Sequence, residues 1–260
     1  MTKKIILCAD DFGEAPHISQ AILMLAQEKR ISATSCMTIG KDWYPHGLAL
    51  KDIKNQLDIG LHFTLTQGEA SPIKWLLRSF TGQIDTFFVE KQLNLQLDRF
   101  VEVMGCLPDF IDGHQHIHSF PGIRKALLNV IHQRFPRKKP YVRSLSPLLS
   151  GMDAKLKAFI VTCAAFGFSR ALKKNHIKHN SSFGGLYSLT SNGQYRQYMI
   201  KWLKQAGPQT LLMCHPGKQL LKESEDPIGA ARVLEYTYLL SPVFQKDLSE
   251  AGVRLGRLSV

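Results

Sequence analysis

Short apolar runs and helical stripes of apolar residues alternate along this chain, with polar clusters at the changes of rhythm. Residues 4–9 (KIILCA) form an apolar run that ends at Asp10-Asp11-Phe12-Gly13, after which Ile18, Ile22, Leu25 and Ala26 recur at helical spacing. The pattern predicts strand, loop, helix. Residues 35–39, closed by Gly40, read as a second strand, and residues 57–65 (LDIGLHFTL) as a third that ends in Thr66-Gln67-Gly68. Leu93, Leu97, Phe100, Val101 and Met104 form a helical stripe. Pro108 breaks it, and Phe110-Ile111 begins another strand that stops at Asp112-Gly113-His114. Pro121 suits the first turn of a helix carrying Ile123, Leu127, Val130 and Ile131, and Tyr141-Val142-Arg143 reads as the next strand.

From 144 to 192 the pattern is poorer. It predicts one apolar helix over 156–172 and then a glycine-containing segment, Phe183-Gly184-Gly185. Order returns with a helix through Tyr195, Met199, Trp202 and Leu203 and a strand over 210–214 that ends in His215-Pro216-Gly217. A helix over 228–250 and a last strand near 253–258 follow. Strands and helices that alternate this often, with no repeat or composition break, predict a single α/β domain over 1–260 with a mainly parallel sheet. A distorted TIM-like β/α barrel is the expected form. Barrels of this kind build their sites at the carboxyl ends of strands, so polar residues there carry most meaning.

Composition adds compartment and partners. The 260 residues are 44% hydrophobic and 21% charged, enough to bury a large core with no long disordered segment. Cys8, Cys36, Cys106, Cys163 and Cys214 are odd in number and widely spaced, without a C-x-x-C pair, which suits a reducing compartment. The N-terminus lacks the long apolar region of a signal peptide, and the longest apolar stretch, 158–168, is too short at about 1.5 Å per residue to span ~30 Å of bilayer. A cytoplasmic location is expected.

The formal charge of +12 favours acidic partners, and cations cluster at 134–139 (RFPRKK) and over 170–178. Either these are solvated faces or they meet an anionic membrane surface or a lipid phosphate. No zinc-finger spacing or RNP-like pattern points to nucleic acid.

Asp10-Asp11, His62, the run His114-Gln115-His116-Ile117-His118, and His215 all lie at or just after the end of a predicted strand. An aspartate and two neutral imidazoles suit a catalytic divalent cation, zinc or, with more water, magnesium or manganese, because three protein ligands leave an open position. Such an ion lowers the pKa of a bound water to roughly 7 and polarises a carbonyl, both of which amide hydrolysis needs. Of the two adjacent aspartates, one can bind metal while the other serves as base. His215 is suited to protonate the leaving amine. Residues 114, 116 and 118 share a face if the strand continues, whereas only 114 and 118 do so if a helix has begun. Arg143 is suited to bind a substrate oxygen, to hold Asp10 ionised, or to form a structural ion pair.

These residues resemble the signature segments of the YdjC-like carbohydrate deacetylases. The resemblance rests on Ala9-Asp10-Asp11-Phe12-Gly13, on Gly60-Leu61-His62-Phe63-Thr64-Leu65-Thr66 with Gly68, on Asp112 to His118, and on Met213-Cys214-His215-Pro216-Gly217, in the family's order. It covers most of the chain outside 144–192. It implies a deformed barrel related to the polysaccharide deacetylases, a divalent metal (Zn²⁺ or Mg²⁺), and removal of acetyl from N-acetylated sugars. Carried over residue by residue, it implies Asp11, His62 and His114 as metal ligands, Asp10 as base and His215 as acid. His116, His118, Arg143 and Thr66 would then bind substrate or support the ligands.

Gly113 stands where many members have serine. Residues 144–192, read as a variable and partly helical insertion on the substrate side, are similar to the branch linked to hopanoid or lipid-carried sugars. The partners implied are an N-acetylated sugar, lipid-linked or anionic, an anionic membrane surface, and a second copy in a homodimer. The rival expectations are another barrel metallohydrolase, a phosphoesterase or amidohydrolase, and a non-catalytic glycan- or lipid-binding barrel.

Overall fold

Parallel strand pairing organises the structure, a computed structural model that describes residues 2–65, 72–149, 153–190, 193–219 and 226–260. The first half runs β1 (Lys3–Phe12), α1 (Pro16–Gln27), β2 (Ala33–Cys36), α2 (Trp43–Asp52), β3 (Asp58–Phe63), α3 (Pro72–Phe80), α4 (Thr86–Met104) and β4 (Phe110–Gly113). A 3-10 helix, His114–Ser119, leads into α5 (Ile123–Arg134) and β5 (Tyr141–Val142). Then come α6 (Lys155–Ala164), α7 (Phe168–Lys174), β6 (Ser182–Gly184), α8 (Tyr195–Gln205), β7 (Thr210–Cys214), α9 (Gly229–Leu240), α10 (Pro242–Glu250) and β8 (Val253–Leu255).

The sheet order is β5-β4-β3-β2-β1-β7-β6, with β8 also paired to β1. Isolated parallel bridges, Val142 to His179 and Leu148 to Phe183, draw the two edges together. The result is the deformed β/α barrel expected from the alternating elements.

Both faces of this sheet are buried, as parallel sheets require. On β1, Ile5, Leu7 and Ala9 pack outward among the helices, with Ile18, Ile22 and Trp202. Ile6 and Cys8 point inward, beside Phe110, Tyr141, Phe183, Leu211 and Met213. A third cluster joins Leu61, Phe63 and Ile111 to Leu97, Leu127 and Ile131 of α4 and α5. The same period of two puts Asp10, His62, Asp112 and Arg143 on the inner face, where the apolar filling stops.

Several elements differ from the pattern reading. Asp10 and Asp11 belong to β1 itself, not to a loop, because the strand runs on through a bulge where its register with β2 shifts between Ala9 and Phe12. Gly167, with φ +76, separates α6 from α7 within the single helix expected over 156–172. Pro242 likewise starts a new helix inside 228–250. Pro121 lies ahead of the Gly122 cap of α5, not in its first turn. Phe183-Gly184 forms a strand paired with β7, and α2 and α3 add helices that the pattern did not reveal.

Candidate active site

The β1 bulge gives two adjacent carboxylates one destination. In a regular strand Asp10 and Asp11 would face opposite sides of the sheet. Asp11 instead adopts φ +70, a conformation that aspartate tolerates better than most residues, and both side chains reach the same cleft. Gly13 completes the turn at φ +90, since a Cβ there would come within 3.0 Å of the Met37 carbonyl oxygen.

Asp11 Oδ1 lies 3.4 Å from His62 Nε2 and 3.1 Å from His114 Nδ1. One donor atom from each of the three residues falls within 4.8 Å of the others. The fit to a divalent cation is supported from behind. His62 Nδ1 donates to Asp112 Oδ1 at 2.7 Å, which turns Nε2 toward Asp11. Ser35 Oγ donates to that same carboxylate oxygen. Arg232 Nη2 holds Asp11 Oδ2 at 2.9 Å and leaves Oδ1 to face the imidazoles.

Electrostatics agree with this geometry. Burial by itself would lower the His62 pKa, but Asp112, with the hydrogen bonds to Asp11 and Asp112, lifts it to about 10. Burial would raise Asp11, but Arg232 and the two imidazoles hold its carboxyl well below the usual range. The surroundings favour positive charge at this point, and a divalent ion would supply it in place of a proton.

Behind that set, Arg143 is fully buried and bound to acids on two sides. Its Nη1 and Nη2 grip Asp10 at 2.7 and 2.6 Å, and Nη2 also meets Asp112 Oδ2 at 2.5 Å and Cys8 Sγ at 3.2 Å. Cys8, Asp10 and Asp112 also converge, but the guanidinium already occupies their centre, so they offer no second cation site. Of the roles read for Arg143 in the sequence, the structure displays the buried ion pair with Asp10.

The His114–His118 run is neither a continued strand nor an α-helix. Gln115 and His116 take φ +53 and +64, so the three histidines diverge. His114 joins Asp11. His116 lines the cleft and meets the Phe183 ring edge-on. His118 is buried against Phe168, where its Nε2 donates to the Arg143 carbonyl oxygen at 2.9 Å and burial pushes its pKa down to about 4. Its Nδ1 has no hydrogen-bond partner among the described residues, and a Cβ on Gly113 would lie 3.1 Å from that atom. The glycine thus leaves open the spot where a serine hydroxyl would approach the ring. Thr66 lies outside the described residues.

His215 follows β7 at the cleft. Its backbone N–H donates to Glu235 Oε2 at 2.6 Å, and Tyr187 donates to Glu235 Oε1 at 2.6 Å. Burial pushes the His215 imidazole down to about 4, against the pull of Asp11 and Asp10, and its Nδ1 has no hydrogen-bond partner among the described residues. Burial raises Glu235 to about 7 despite those two hydrogen bonds.

Asp112, Ser35, Arg232 and Glu235 were not assigned roles from the sequence. The last two had a signal: charged residues three apart in the otherwise apolar helix 229–240, a spacing that puts both on one face. Asp10, Asp11, His62, His114, His116, His215 and Arg232 border a cavity of about 700 Å³ with largely apolar upper walls, among them Leu76, Phe120, Ile160 and Leu189.

A family model described as YdjC-like protein matches residues 4–250. The chain is 25% identical to a chitooligosaccharide deacetylase of Yersinia enterocolitica, across 100% of this chain and 99% of that one. It is 26% identical to a chitooligosaccharide deacetylase of Serratia marcescens, across 98% of each. Among solved structures, a protein of Enterococcus faecalis named for cellobiose-phosphate cleavage superposes with a TM-score of 0.68 at 18% identity, covering 99% and 98% of the two chains. A polysaccharide deacetylase of Bacillus cereus superposes with a TM-score of 0.51 at 13% identity, covering 98% and 91%. These two likenesses concern the fold.

Proposed function

Because the chain belongs to the YdjC-like family, we propose that it is a carbohydrate N-deacetylase that uses a divalent ion, zinc or magnesium, to release acetate from an acetamido sugar. The observation that carries this reading is the convergence of Asp11, His62 and His114 beside Asp10 and His215 in one cleft. The full-length similarity to two chitooligosaccharide deacetylases supports the substrate class. Five unpaired thiols, three of them buried, support a reducing, cytoplasmic setting.

Asp11, His62 and His114 would hold the ion, with Asp112 and Arg232 fixing their orientation. A divalent ion there supplies Lewis acidity toward the amide carbonyl and makes water acidic enough to lose a proton near neutral pH. Asp10 would accept a proton from the attacking water, and Arg143 grips both of its carboxylate oxygens and fixes their direction. His215 starts neutral, with its pKa near 4, and as negative charge builds on the substrate it would take up the proton that Asp10 removed from water. It then gives the proton to the departing amine. Glu235 and Tyr187 hold the backbone from which His215 projects. The apolar upper walls restrict water and favour a substrate with an apolar portion beyond its sugar.

Incubation with N-acetylated amino sugars and chitooligosaccharides, with assay of free acetate and free amine, tests the proposal. Acetate release that a chelator stops and the ion restores is the expected result. Hydrolysis of phosphoesters without acetate release would overturn it.

A further inference from the structure

Two helices at the mouth of the cleft turn apolar side chains toward solvent. On α3, Ile73, Leu77 and Phe80 recur at helical spacing on the outer face, while Trp75 and Ser79 face inward. On and after α6, Leu156, Phe159, Ile160 and Phe166 repeat the arrangement. The exposures are far from marginal: Ile73 69%, Leu156 73%, Phe159 67% and Phe166 84%. Soluble surfaces scatter such residues singly, whereas here they gather on two elements that both line the cleft, through Ile73 and Leu76 from one and Leu156 and Ile160 from the other.

Charge identifies the occupant. Residues 72–84 and 154–187 contain no aspartate or glutamate, yet they carry Lys74, Arg78, Lys155, Lys157, Arg170 and Lys173, among other cations. Arg78 stacks on Trp75 at 5.6 Å, and Arg124 reaches the carbonyl oxygen of Phe166 at 2.7 Å, so cations border both apolar patches. A self-complementary contact between two copies would set cation against cation. An interface of apolar side chains edged by lysine and arginine instead matches a bilayer whose headgroups are anionic.

We propose that the outer faces of α3 and α6 dock on an anionic lipid surface and set the mouth of the cleft against the headgroups. The docking geometry stands on its own. Its consequence, that the acetamido sugar is taken from the head of an amphiphile, rests on the deacetylase reading above.

Flotation of the full chain with vesicles of phosphatidylcholine, alone or mixed with phosphatidylglycerol, tests the docking. The bound fraction should rise roughly tenfold with the anionic lipid and fall again in high salt, as screening dictates. The combined variant Leu77→Glu, Phe80→Glu, Phe159→Glu, Phe166→Glu changes exposed side chains outside the cleft lining. It should lose vesicle binding and keep its turnover of a water-soluble acetylated oligosaccharide.

Equal binding to both vesicle types, or undiminished binding by the variant, would overturn the proposal. A lipid-free dimer that the same substitutions dissociate in sedimentation velocity would also overturn it, by giving the face to a second copy. Vesicle binding needs no turnover. An inactive protein that still binds anionic vesicles would defeat the deacetylase reading and uphold the docking surface.

Discussion

His62 and Asp112, from neighbouring strands β3 and β4, are registered partners in the sheet, and their side chains meet at 2.7 Å on its inner face. One contact sets both the tautomer and the direction of His62. Replacing Asp112 with asparagine removes the charge that fixes this arrangement, so affinity for zinc should fall about 10–100-fold in calorimetric titration. Unchanged affinity would remove Asp112 from the supporting set.

Asp11 contributes the only carboxylate to the three-residue donor set. Asp11→Ala should lose both bound metal, measured by elemental analysis of the dialysed protein, and acetate release. Retained metal at wild-type stoichiometry would mean that the ion sits elsewhere.

His215 shares the cleft with that donor set without belonging to it. His215→Ala should leave metal content unchanged and lower kcat by about 10²–10⁴-fold, the range usual for a positioned acid or base. A large rise in KM at constant kcat would make it a binding residue instead.

Arg143 is fully buried between Asp10 and Asp112. Arg143→Met would strand two carboxylates without a counter-charge, at a cost of about 3–5 kcal/mol in urea unfolding. A loss under 1 kcal/mol would indicate that water reaches the pair.

Glu235 titrates near 7 when folded, against an ordinary value of 4.5, because it is buried. Its proton is bound more tightly in the folded chain, so its contribution to stability is complete below about pH 4.5 and is lost as pH rises through 7. The loss is on the order of 3 kcal/mol. Glu235→Gln, which can still accept from His215 and donate to Tyr187, should flatten the fall in Tm over that interval. An identical pH profile would assign the titration to another group.

Much of this site was legible in the chain, because period and punctuation are local properties. The apolar runs that end in Asp10-Asp11, His62, Asp112-Gly113-His114 and His215 marked the carboxyl ends of four strands, and parallel strands bring such ends to one rim. Helix breaks at Gly167 and Pro242 were visible as residues but not as boundaries, since the apolar stripe runs across both.

Local pattern could not decide how side chains from distant segments are aimed. The β1 bulge brings Asp11 beside Asp10, left-handed Gln115 and His116 send three histidines to three surroundings, and Arg143 pairs with both Asp10 and Asp112. Arg232 and Glu235 come from a helix more than 200 residues after Asp11, and their roles exist only once the sheet closes over them. Sequence fixes which chemical groups reach the rim because strand ends are encoded locally. Tertiary structure fixes their partners because hydrogen bonds and ion pairs act over ångströms in space, whatever the distance along the chain.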